Sequence, residues 1–159
     1  MAELVVCRAY GPAAVAATIG LDTNKITVTA KSVGAYGNAI TAEYVTATKT
    51  LVIVTADGTE SYSGTDAASL QTAANASRSV NVTVSSLPSG NVSATNLASG
   101  TDDYSNVVWS TVLGGISADL GPGAIATPGV AHGTSGQALC THAAANDRLA
   151  LLTVASGSA

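Results

Sequence analysis

The chain has 159 residues, 47% of them apolar, and a net charge of −4 from 6 basic and 10 acidic side chains. It has no basic cluster to release counterions from a phosphate backbone and no apolar run long enough for a membrane-spanning helix, so nucleic acid and membrane are not expected partners. It also has no Phe, one Trp and one Met, so the core must come from Ala, Val, Leu and Ile, while charged residues at 10%, against about a quarter usually, point to a surface that meets other copies.

Residues 1–17 read as an N-terminal arm or edge strand. Leu4, Val5, Val6, Cys7 and Arg8 form a β-type run closed by Gly11-Pro12, and Ala13 to Ile19 fits strand or helix. Glu3 occupies the place of a basic leader region, so no export signal is expected, and Cys7 and Cys140, which lack metal-ligand spacing, are expected as reduced thiols. Ile26, Val28 and Ala30 alternate with Thr27, Thr29 and Lys31, the period of a half-buried strand. After the loop Gly34–Asn38, Ile40, Ala42 and Tyr44 alternate again. Leu51 to Ala56 reads as a central strand, and Asp57-Gly58 turns it into Thr59 to Ser63. These four segments predict a four-stranded β unit.

Thr65 is the expected cap of a helix with Ala67, Leu70, Ala73 and Ala74 inward, and Val80, Val82 and Val84 mark the next strand. The polar stretch Pro88 to Asn96 is the predicted domain boundary. Thr101 then caps a helix that carries Val107, Val108, Val112, Leu113, Ile116 and Leu120 on one face, weakened at Gly114-Gly115 and ended by Gly121-Pro122-Gly123. Ala124 to Ala126 is a short buried strand, Thr134 or Ser135 caps an Ala-rich helix through Asn146, and Arg148 to Val154 is a buried-type apolar strand. The order α, β, α, β predicts a parallel sheet covered by helices. Such a sheet is not closed by these residues. Either other copies complete it or the chain is the front part of a longer one, and the second is the expectation.

No catalytic, cofactor-binding or metal residue is expected. Asp119, His132 and Ser135 follow the chain order of a subtilisin-type triad, but they fall within 17 positions, and Gln137 stands where a nucleophile elbow needs glycine. His132 and His142 lack the spacing of a helical metal pair, and Gly121-Pro122-Gly123 lacks the remainder of a phosphate loop. Trp109 is expected to fill space beneath the sheet, and His142 to pack within its helix. Three Asn-x-Ser/Thr triplets begin at Asn75, Asn81 and Asn91.

Five runs in order, ITVTAKSVGAYGNAI (Ile26 to Ile40), DGTESYSG (Asp57 to Gly64), LASGTDDY (Leu97 to Tyr104), LGPGAIATPG (Leu120 to Gly129) and HAAANDRLALL (His142 to Leu152), make a chain that resembles the tail sheath proteins of contractile phages and related injection machines. The resemblance implies an α+β fold: a small antiparallel β-sandwich-like domain (18–90), a linker (91–98), and an incomplete α/β, subtilisin-like sheath domain with a parallel sheet (99–159). It implies a non-enzymatic structural subunit, or the N-terminal portion of one, in a virion tail assembled in the bacterial host cytoplasm. Self-assembly into rings or helical tubes would be its mode of action, with a tail tube protein as the partner of a full-length member. Leu4, Val5, Val6 and Arg8 are the candidate subunit-contact arm. The alternative is a secreted Ser/Thr/Ala-rich β adhesin or carbohydrate-binding module.

Overall fold

Apolar alternation organises the larger of two compact units, residues 13–103, in the computed structural model, which describes residues 5–152. The fold is α+β, with antiparallel sheets and one small parallel sheet. Strands β1 (Thr18–Leu21), β2 (Ile26–Ala30) and β6 (Val80–Val84) form an antiparallel sheet in the order β1-β2-β6. Strands β3 (Thr41–Val45), β4 (Thr50–Thr55), β5 (Gly58–Ser63) and β7 (Val92–Asn96) form a second, ordered β5-β4-β3-β7. Every second residue of β2, β3 and β6 is buried, and together with Leu51, Ile53 and Leu70 these residues make one core shared by both sheets. Small alanines let the layers approach closely.

The four segments read as one β unit are divided between the two sheets: β2 joins one, and β3, β4 and β5 the other. Alternation reveals which face of a strand is buried but not which neighbour it pairs with. Residues 91–98 are likewise not a linker. Val92–Asn96 is edge strand β7, paired with β3, and Leu97 is buried in the core. Thr101 does not cap a helix; it bridges Val15 through hydrogen bonds in both directions, Val15 N to Thr101 O and Thr101 N to Val15 O, each 3.0 Å. The unit accordingly reaches Asp103, and residues 13–17 belong to it.

A glycine corner makes this threading possible. Gly100 donates its N–H to Asn38 Oδ1 (2.8 Å) and receives Asn38 Nδ2 on its carbonyl (3.0 Å). A Cβ at Gly100 would lie 2.5 Å from the Gly34 carbonyl oxygen, closer than any real side chain allows.

Helix α1 (Ala67–Ala74) starts one residue later than expected. Asp66, not Thr65, is its cap, because Asp66 accepts from the Ser69 amide (2.8 Å) while Ser69 Oγ accepts from the Asp66 amide (3.1 Å). The Ser69 amide and then its hydroxyl hold the Asp66 carboxyl below the usual range. From the end of α1, Asn75 pairs with the open edge of β6, donating to the Val82 carbonyl (2.9 Å) and accepting its amide (2.8 Å). Gln71 accepts the Val84 amide (2.7 Å). The edge is thus closed by side chains.

The second unit comprises residues 5–12 and 104–152 among those described. The long helix expected over 101–120 is broken into a 3-10 turn (Tyr104–Asn106), helix α2 (Trp109–Gly114) and a 3-10 turn (Ala118–Leu120). Gly114 and Gly115 end α2, and Ser117 caps the second turn by accepting the Asp119 amide (3.1 Å). Strand β8 (Ala124–Ala126), helix α3 (His132–Ala145) and strand β9 (Leu149–Leu151) follow, with β8 and β9 parallel, as the expected α, β, α, β order requires.

Candidate assembly surface

In the β8–α3–β9 segment, side-chain parity decides what is covered. The register pairs Ala124 with Leu149, Ile125 with Ala150 and Ala126 with Leu151. Ile125 and Ala150 face the helices, where Ile125 packs with the buried Leu113, Leu139 and Ala143. Ala124, Ala126, Leu149 and Leu151 have the opposite parity and are exposed, Leu149 at 64% and Leu151 at 49%. Arg148 to Leu152 was expected to be buried; Leu149–Leu151 forms a strand, but Leu149 and Leu151 face outward because, among the described residues, helices cover one face of this two-stranded sheet only. Thr153 and Val154 lie outside the described residues.

The candidate arm belongs to the same unit. Val5 is 45% exposed, Val6 82%, and Arg8 is exposed; Leu4 lies outside the described residues. Residues 5–9 form one wall of a groove of about 740 Å³, whose other walls include Val112, Leu113 and Ile116 beside α2, together with β8. Trp109 also lines this groove and is half-buried.

The other singled-out residues have structural partners. Ser135 is not the cap of α3, which begins at His132 after Ala131; its hydroxyl is buried and lies 2.7 Å from Thr127 Oγ1. Asp119 accepts from Ser117 Oγ (3.2 Å), and His132 opens α3 at an exposed position. Among the described residues, no group of three or more His, Cys, Asp or Glu is arranged to hold a metal ion, and no helix is long and apolar enough to cross a membrane.

Arg148 is the residue that sequence reasoning missed. Its guanidinium donates to the Gly121 carbonyl (3.1 Å) and the Ser117 carbonyl (2.6 Å) and lies 2.8 Å from His142 Nε2. His142 was expected merely to pack, and a spacing of six residues across a helix end carries no motif that would have paired it with Arg148. No family model, curated protein or solved structure matches the chain.

Proposed function

We propose that the chain is a structural subunit, or the N-terminal portion of one, of the contractile tail sheath of a phage or phage-like injection machine. It assembles through subunit contacts around a tail tube, in a virion tail put together in the host cytoplasm. The reading rests on one observation above the rest: the uncovered apolar face made by Ala124, Ala126, Leu149 and Leu151. Parallel sheets are ordinarily roofed on both faces, and a contiguous exposed patch of leucine beside alanine marks a surface suited to cover by another subunit. The exposed Val5 and Val6 supply a second apolar element in the same unit, suited to β-augmentation. The ordered run of five sheath-like segments gives the partner its identity: more sheath.

The adhesin reading draws on the three Asn-x-Ser/Thr triplets. Two of those asparagines are already engaged, Asn75 with β6 and Asn91 as the acceptor of the Thr46 amide (2.9 Å). Negative-stain microscopy of the purified chain tests the proposal. Rings or tubes are expected, whereas monodisperse single particles with affinity for glycans would replace the sheath with a carbohydrate-binding module.

A further inference from the structure

An arginine side chain carries protons on all three of its nitrogens and accepts no hydrogen bond. With Arg148 Nη1 at 2.8 Å, His142 Nε2 must present its lone pair. That hydrogen bond requires the tautomer that carries its proton on Nδ1. The same guanidinium holds the Ser117 and Gly121 carbonyls, and Leu149 N donates to the Gly123 carbonyl (2.7 Å) in the same corner. The C-terminal turn of α3, the 3-10 turn, the approach to β8 and the start of β9 are thus tied through one side chain.

We propose that His142 and Arg148 form a proton-operated clasp on the β8–β9 pair. When neutral, His142 accepts from Arg148 and holds it across the corner. A proton taken up at Nε2 replaces the lone pair with an N–H and sets two cations against each other, so Arg148 leaves the α3 turn and the segments it ties loosen. The charged groups on the elements packed there are Arg148 itself, Asp147 in the connection before it, and Asp119 in the 3-10 turn, which is engaged by Ser117. The clasp stands whether or not the chain assembles into a sheath.

The chain has two histidines, which makes the test clean. Amide exchange of the intact chain is followed by mass spectrometry at about pH 8 and about pH 5.5, the interval in which imidazole is the side chain that changes charge, with intrinsic rates corrected. Exchange over residues 117–123 and 147–151 should accelerate about tenfold on acidification, the size expected for losing a hydrogen bond from a charged group. His132→Gln should retain that response. His142→Gln keeps a neutral acceptor and should abolish it. No acceleration in the unaltered chain, or acceleration that persists in His142→Gln, would overturn the clasp. Should His142→Gln fail to fold, nitrogen-15 spectra of the unaltered chain decide the matter: the neutral ring should show Nε2 unprotonated, and the opposite tautomer refutes the proposal.

Discussion

Glu60 shows how single polar groups hold the larger unit together. Its Oε2 accepts from Ser77 Oγ (2.5 Å) and Tyr62 OH (3.0 Å). Ser77 is buried and its Oγ already accepts the Ser79 and Val80 amides, so its hydroxyl proton is directed to Glu60, while Lys31 donates to the Ser77 carbonyl. The Ser77 hydrogen bond, helped by Tyr62, the Arg78 amide and the Lys31 charge, holds the Glu60 carboxyl below its usual range against the opposing effect of burial. A lowered folded-state value means that the stabilisation is complete above the unfolded carboxylate range and is lost as pH falls through the folded one. Glu60→Gln should therefore lower unfolding free energy by about 1–3 kcal/mol at neutral pH. The gap to the unaltered chain should close on acidification, as read from urea midpoints across the acid range. A gap that stays constant with pH would mean that the charge is not what the Ser77 hydroxyl recognises. None of this was visible in the sequence, because Glu60, Ser77 and Lys31 come from β5, the turn before β6 and the end of β2, and only the tertiary arrangement brings them together.

At the scale of elements, α1 both packs on the core and closes the free edge of β6. Leu70 and Ala74 are buried, while Gln71 and Asn75 reach the strand backbone. Asn75→Ala removes both hydrogen bonds to Val82 and uncovers the edge. A loss of about 1–2 kcal/mol by urea unfolding is expected. Concentration-dependent aggregation, measured by light scattering, should accompany it. The inward set of α1 was legible from apolar spacing alone. The edge role was not, since an asparagine after a helix reads equally well as an ordinary C-terminal residue. Residues 91–98 failed for the opposite reason: Asn, Ser and Thr suggest a linker, yet β7 is an exposed edge strand, where polar side chains carry no penalty.

For the chain as a whole, the consequential feature is an apolar sheet face left bare in the second unit. Leu149→Lys with Leu151→Lys should leave the chain folded, with stability changed by no more than about 0.5 kcal/mol, because both side chains already face water. Self-association, followed by sedimentation velocity, should be lost together with any rings or tubes. A double variant that assembles as before would remove this face from the assembly contacts.

Periodic patterns carried the existence of most strands, both longer helices and the parallel β8–α3–β9 order, because burial of one face imprints a period of 2 or 3.6 on the residues themselves. Which strands are neighbours, where the first unit ends and which face of β9 lies open depend on contacts between residues far apart in the chain. Leu149 and Leu151 make the difference plain. Their hydrophobicity marks a strand that ought to be covered, and only the fold reveals that the helices have taken the other side.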